Sequence, residues 1–355
     1  MSQPRYRAAI VGAGAIAAAH AQALQHHSDR VALTAVIDVN ADLARHFAAK
    51  WNIPQVHTDL DALDRVDLVH LCTPPATHTP LALKCLEAGA HVLVEKPPTL
   101  SLAELDLLAE ASRRTGAHVA TVFQHRFGTG AHRLREMIAS GQLGRPLLAT
   151  CETQWYRDDD YYRVPWRGKW ETEGGGPTMG HGIHQFDLLL SILGRWEQVT
   201  AVTATRARDV ETEDVSMALV TFADGTLASV VNSVVSPRQT SALRFDFENA
   251  TVDLTHLYGY RDADWTITPV PGHEDLTASW NRTRSETVSG HIDQLAAVLD
   301  ALDAGLAPPV SLPDTRTTME FIAALYASAA TGQPVRSGEI GPGHPFAATM
   351  NGAVR

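Results

Sequence analysis

Cysteine is scarce: Cys72, Cys85 and Cys151 are the only three in 355 residues. An odd number with no CxxC pair excludes a disulfide framework and a cysteine zinc cluster, and it fits a reducing, cytoplasmic setting. Long apolar runs are missing too. No stretch approaches about 18 consecutive apolar residues, and the opening MSQPRYRAAIVG lacks the apolar core of a signal peptide, so no membrane association is expected. Basic residues are too few for a nucleic-acid footprint, because 29 Lys and Arg stand against 40 Asp and Glu, a net charge of −11 with no Lys/Arg-rich stretch. A small-molecule partner is expected instead.

What is present is an ample core, with 45% hydrophobic residues, and a length that predicts two domains. From Tyr6 to about Gln124 the runs YRAAIVG, VALTAVID, DLVHLCT, AHVLVEK and HVATVFQ alternate with helical segments rich in Ala, Leu and charge. Runs apolar enough to be buried on both faces, joined by helices, predict a doubly wound parallel α/β sheet. A helix is predicted over 129–140. From Leu147 onward the runs VTAVTATRA, VSMALVTFADGTLASVVNSVV and ALRFDFENATVDL alternate like half-exposed strands, with Asp224-Gly225 as a hairpin turn. The expectation is a C-terminal α+β domain with a large, open, mostly antiparallel sheet and helices over 183–193, 291–303 and 314–330. One face of such a sheet can meet a second subunit, so a homodimer or homotetramer is expected. The run Asp158-Asp159-Asp160 reads as a solvated loop, since carboxylates adjacent in sequence rarely converge on one ion.

The first strand ends in GAGAIA, a G-x-G-x-x-A between strand and helix. Gly12 permits the tight turn, Gly14 lets backbone N–H groups approach a pyrophosphate, and Ala17 lets helix and strand pack closely. With Ala15 and Ile16, they aim the helix N-terminus at a diphosphate. Asp38 stands 24 residues after Gly14, where an acid accepts hydrogen bonds from an adenosine ribose. A 2′-phosphate there would meet a carboxylate, and Val39 and Asn40 offer no arginine, so NAD is expected ahead of NADP. Asp38 can also cap the helix beginning near Ala41. The domains predicted on this basis are 1–125 for the cofactor and 126–355 for substrate and assembly.

Glu95-Lys96-Pro97 ends the fourth apolar run, and open α/β sheets bind ligands at the carboxyl ends of their strands. A lysine there can hydrogen-bond a substrate hydroxyl and, as a cation, stabilise a developing alkoxide. The Gly174-Gly175-Gly176 run leads into a helix presenting His181, His184 and Asp187 at i, i+3 and i+6. Imidazole suits the acceptance of a hydroxyl proton near neutral pH, and Asp187 reads as a residue that orients or caps its neighbours. Between the predicted domains lie Trp155, Tyr156, Arg157, Tyr161, Tyr162, Trp166, Arg167 and Trp170, a mixture suited to a polyol pocket: aromatic faces stack on sugar C–H faces while Arg and Tyr donate to hydroxyls. Cys72 reads as packing, because nothing near it activates a thiolate.

Taken together, GAGAIA, CTPPATH at 72–78, VEKP at 94–97 and GGGPTMGHGIHQFD at 174–187 resemble the Gfo/Idh/MocA family, named for glucose–fructose oxidoreductase, inositol dehydrogenase and a rhizopine-catabolism protein. The resemblance covers about residues 5–335. It implies a Rossmann domain followed by an open-sheet domain, and reversible hydride transfer between a CH–OH group of a sugar, sugar derivative or cyclitol and nicotinamide C4. It further implies Lys96 and His184 as catalytic residues. Thr73, Pro74, His78 and Glu95 would shape the cofactor wall, with Gln124 reaching the cofactor, Arg126 the substrate, and Trp166 and Arg167 both. Tyr156, Tyr161 and His181 complete the expected substrate contacts. One position departs from the inositol-dehydrogenase pattern, which carries Asp four residues before the catalytic histidine. Here that position is Gly180, followed by His181, which becomes the candidate for the missing role. No metal is implied; the rival is a metal held by His181, His184 and a nearby acid. Two other functions fit the fold. One is NAD-dependent glycoside cleavage through transient oxidation and elimination, and the other is a cofactor-binding regulator, which the intact EKP and His184 oppose.

Overall fold

The computed structural model describes residues 4–282 and 288–353. They form two compact units, Met1–Val122 with His291–Arg316, and Phe123–Gly290 with Thr317–Arg355.

The first unit is built on β1 (Tyr6–Val11), β2 (Val31–Ile37), β3 (Gln55–His57), β4 (Leu68–Leu71), β5 (His91–Val94) and β6 (Val119–Thr121), all parallel in the order β3-β2-β1-β4-β5-β6. The chain starts at the centre, winds out to β3 and returns to β4, so the winding reverses between β1 and β4, the place where such sheets bind ligands. Ala8, Ala9, Ile10, Leu68, Val69 and Leu71 are buried, as expected of strands covered on both faces. The crossovers are helices Ala17–His26, Ala41–Trp51, His78–Glu87 and Leu102–Thr115. Five strands coincide with the five apolar runs. The sixth, β3, has three residues, none of them buried, and so leaves no apolar signal. Lys96 therefore follows the fifth strand rather than the fourth, and Gln124 follows the sixth.

Helix His291–Asp303 corrects the expected division at 125/126. Its Leu295, Val298, Leu299 and Leu302 pack into one cluster with Ala17, Ala21 and Leu24 of the first helix, each such burial contributing about 1.5–3 kcal/mol. Arg30 pairs with Asp300 at 2.8 Å and Asp303 at 2.6 Å, and Gln294 Nε2 donates to the Thr121 carbonyl at 2.7 Å. An amphipathic helix belongs where its apolar stripe is covered, and here that is on the first unit.

The second unit contains β7 (Pro146–Tyr156), β8 (Trp196–Ala204), β9 (Val215–Phe222), β10 (Leu227–Ser233), β11 (Val235–Phe247), β12 (Ala250–His256), β13 (Trp265–Pro269) and β14 (Val335–Arg336), in the order β13-β12-β11-β7-β10-β9-β8-β14. The β7–β10 pair is parallel and the others are antiparallel. At the expected hairpin, Gly225 has φ +91° and the Asp224 carboxylate accepts the Thr226 N–H at 3.0 Å. Along β9, Ala218, Val220 and Phe222 are buried while Met217 and Leu219 are exposed. Phe186 of helix Ile183–Leu193 and Trp196 both meet Phe321, with ring centroids 5.3 Å and 5.6 Å apart. No helix among the described residues is long and apolar enough to cross a membrane.

Candidate active site

In the first unit, Gly12 has φ +92°, and a Cβ there would lie 2.7 Å from the Cys72 carbonyl oxygen, so glycine alone fits. Gly14 faces open space, with nothing within 4 Å of where its Cβ would stand. Helix Ala17–His26 starts at Ile16 without a side-chain cap, and its Ala17 and Ala19 N–H groups turn back onto the Gly14 and Ile16 carbonyls at 3.2 and 3.0 Å. Asp38 accepts the Ala13 N–H through Oδ2 and the Asn40 N–H through Oδ1, both at 2.8 Å, so each carboxylate oxygen keeps a lone pair for a ribose hydroxyl. Asn40, rather than Asp38, caps the next helix, accepting the N–H groups of Asp42 and Leu43 at 3.1 Å. Val39 is 93% exposed beside this carboxylate, and its sequence neighbours Asp38 and Asn40 carry no positive charge for a 2′-phosphate. An open glycine turn, an uncapped helix start and an acid at the end of β2 fit a dinucleotide.

The neighbouring loops are tied together. His78 is buried, with Nε2 2.8 Å from the Thr73 carbonyl and Nδ1 2.8 Å from the Pro97 carbonyl, which links the segment after β4 to the one after β5. Thr77 donates to the Thr73 hydroxyl at 2.7 Å, and Pro74 precedes this turn. Burial pushes the Cys72 thiol well above its ordinary pKa, which agrees with a packing role. Glu95 is buried under the Lys96 backbone and accepts its N–H at 3.2 Å.

In the second unit the glycine run is dictated by what surrounds it. A Cβ at Gly175 would collide with the Tyr326 hydroxyl, and one at Gly176 with the Glu213 carbonyl. The Glu213 carboxylate accepts the Gly176 N–H and the Thr178 N–H, each at 3.1 Å, and the Tyr326 hydroxyl at 3.0 Å. Burial raises its pKa. This anchor delivers the chain to helix Ile183–Leu193, whose first turn carries His184.

His184 is buried, with its ring 5.2 Å from that of His125 and its Nε2 3.5 Å from the Tyr258 hydroxyl, which also receives the Gln124 amide at 2.5 Å. Asp187 takes Arg126 in a bidentate pair at 2.5 and 2.6 Å, so much of the Arg126 guanidinium is committed within the protein. His181 accepts the Arg157 Nε–H at 3.2 Å, and its ring lies 5.0 Å from that of Trp155. Arg157 covers both Trp155 and Tyr161, and Arg167 stacks on Tyr161 and Trp166, with centroid distances between 3.8 and 5.1 Å. Gly180 leaves room: the nearest atom to a Cβ there is Glu173 Oε1 at 3.7 Å.

Tyr156 departs from its expected place in this cluster. Strand alternation sends it to the opposite face from Trp155, where it is exposed and Arg208 lies over its ring at 5.1 Å. In the acidic run, Asp158 caps a short helix, Asp159 pairs with Arg208 and Asp160 with Arg163. Tyr258, Tyr260, Glu213 and Tyr326 were not singled out by the sequence; the repeat Tyr258-Gly259-Tyr260 just after an apolar strand was the available signal for two of them.

Residues 6–123 match the family model described as "Oxidoreductase family, NAD-binding Rossmann fold", and residues 131–253 match the "GFO/IDH/MocA C-terminal domain". A myo-inositol 2-dehydrogenase of Thermotoga maritima is 30% identical over 239 residues, 64% of this chain and 68% of that one. A D-glucoside 3-dehydrogenase of Escherichia coli is 32% identical over 220 residues, 60% of this chain and 61% of that one. The chain thus spans somewhat under or over two thirds of these relatives' length. Among solved structures, the WlbA dehydrogenase of Chromobacterium violaceum, in complex with NADH and UDP-GlcNAcA, is 26% identical with a TM-score of 0.83, covering 96% of this chain and 98% of that one. The fold and the glycine turn define an NAD-binding Rossmann oxidoreductase. The chain belongs to the Gfo/Idh/MocA family.

Proposed function

We propose that the protein is an NAD-dependent dehydrogenase of a secondary hydroxyl on a sugar, sugar derivative or cyclitol. The observation that carries this reading is the position of Lys96, two residues past the carboxyl end of β5 in a sheet whose first crossover bears a dinucleotide turn. Gly12, Gly14, Ala15, Ile16 and Asp38 hold the cofactor, and Thr73, Pro74, His78 and Glu95 form its wall. When bound, NAD supplies the nicotinamide carbon that accepts a hydride from the carbinol. Lys96 hydrogen-bonds the hydroxyl oxygen and its positive charge favours the alkoxide as the C–H bond breaks. His184 takes the hydroxyl proton, so that a C=O bond replaces C–O–H. Trp166, Arg167, Tyr161, His181 and Arg126 bind hydroxyls and ring faces, and Gln124, through Tyr258, orients His184.

A second copy of this chain is the partner that fits the outer face of the eight-stranded sheet, and the buried free cysteines suit the cytoplasm.

The test is incubation with NAD and myo-inositol, a D-glucoside or UDP-GlcNAcA, following reduced nicotinamide. One NADH per keto product is expected, with kcat lowered on the order of 100-fold or more in Lys96→Met and in His184→Ala and NAD affinity nearly unchanged. Product without NADH, no turnover on any of the three, or near-full activity of either variant rejects the reading.

A further inference from the structure

In the first unit two buried histidines and a partly buried third, none of them used in the reaction as proposed, gather around the buried Glu95 of the cofactor wall. His20 comes from the helix after the glycine turn, His70 from β4, Glu95 from the end of β5 and His291 from the start of helix His291–Asp303. His20 Nδ1 lies 2.8 Å from His70 Nδ1. His20 Nε2 and His291 Nε2 lie 3.0 and 3.1 Å from the same oxygen, Glu95 Oε1, while Oε2 receives the Lys96 N–H at 3.2 Å. His20 and His70 are wholly inaccessible and Glu95 is 6% exposed.

The protons in this cluster have one consistent arrangement. Oε1 of a carboxylate only accepts, so both Nε2 atoms carry hydrogen. A neutral His20 then has a bare Nδ1, which His70 must meet with an Nδ1–H. His70 is left with a bare Nε2, and that atom has no partner among the described residues. The ligand atoms of His20, Glu95 and His291 are also close enough to hold a metal ion. A metal, however, would need the lone pair of His20 Nε2, moving its proton to Nδ1 and turning His70 into an acceptor there. His70 would then bury an N–H with nothing to receive it, an arrangement proteins rarely tolerate. An added proton meets the same obstacle, because it would set two N–H groups face to face at 2.8 Å or occupy that same vacant Nε2.

We propose that His70, His20 and His291 are positioning residues. As a metal-free hydrogen-bond chain in which His20 and His70 are neutral, they keep Glu95 an anion and aim its Oε2 at the Lys96 backbone, fixing where the Lys96 side chain leaves the main chain. This rests on the reading of Lys96 given above.

Two measurements on the full chain test it. In long-range ¹H–¹⁵N spectra of histidine-labelled protein at pH 7.5, His20 and His291 should show Nε2–H and His70 Nδ1–H, unchanged by added zinc. The reverse tautomers, or loss of the Nε2 protons with zinc, overturn the chain. On whichever of myo-inositol, methyl glucoside or UDP-GlcNAcA is turned over, His20→Leu should lower kcat on the order of 10- to 100-fold with NAD affinity little changed. His20→Gln, whose amide can donate where Nε2 did, should restore most of it. Wild-type activity of His20→Leu, or equal loss in both variants, overturns the positioning role. Lys96→Met run alongside separates the two claims: full activity there refutes the role of Lys96 while leaving the tautomer pattern standing.

Discussion

Gly12 shows how narrowly single positions are specified. With φ +92° and the Cys72 carbonyl 2.7 Å from where a Cβ would stand, Gly12→Ala combines a left-handed backbone with a backbone clash. The strain alone costs about 1–3 kcal/mol. The variant should melt several degrees lower and bind NAD at least about tenfold more weakly, as read by calorimetry and NADH fluorescence titration; unchanged affinity would show that this turn does not cradle the diphosphate. Legibility at this scale depended on chemistry that leaves a local mark. Gly12, Asp38 and Lys96 stand at strand ends in recognisable spacing. His20 and His70 do not: the first sits among alanines of a helix and the second inside an apolar strand, and only folding brings them to Glu95. Tyr156 stands apart from Trp155 because a compositional cluster does not respect the two faces of a strand.

At the scale of elements, β1, β2, β4, β5 and β6 were readable as apolar runs even at three or four residues, whereas β3, with none of its three residues buried, and the two-residue β14 were not. The elements gathered around Glu95 also set an acid limit. Burial lowers the pKa of His20, and burial with the neighbouring His20 puts His70 well below the ordinary histidine value. Although burial opposes it, hydrogen bonds from His20 and His291 hold Glu95 well below the ordinary carboxylate value. The groups facing one another here are His20, His70, His291, Glu95 and the Cys72 thiol. All three lowered groups bind fewer protons folded than unfolded, so their contribution is complete above about pH 6.5 and falls as pH drops, with Glu95 adding its loss below about 4.5. The melting temperature should therefore decline from pH 7 to 5. In His70→Asn, whose amide nitrogen can still donate to His20 but cannot be protonated, the decline should be shallower; an identical slope would remove His70 as its source.

For the whole molecule, the outer face of the large sheet is the feature that asks for a partner. Val202, Met217, Leu219, Leu227 and Leu148 are 44–68% exposed, and register places Met217 beside Val202 and Leu227 beside Leu148. Such a contiguous apolar face on strands that alternate with buried residues fits a second copy of the same surface. Light scattering should give a dimer or tetramer, and Met217→Glu combined with Leu219→Glu should move it to monomer. A monomeric parent chain would remove the sheet as an assembly surface.

Helix His291–Asp303 has a consequence for how the protein is made. The last strand of the first sheet ends at Thr121, but the helix that covers Ala17, Ala21 and Leu24 is not complete until Asp303. At about 5–20 residues per second, a ribosome needs roughly 10–35 s to cross that interval. During it the nascent unit carries an uncovered apolar flank while seven of the eight strands of the second sheet are synthesised. A fragment cut at residue 125 would keep that flank permanently, so the nucleotide domain cannot be isolated intact by truncation at its last strand.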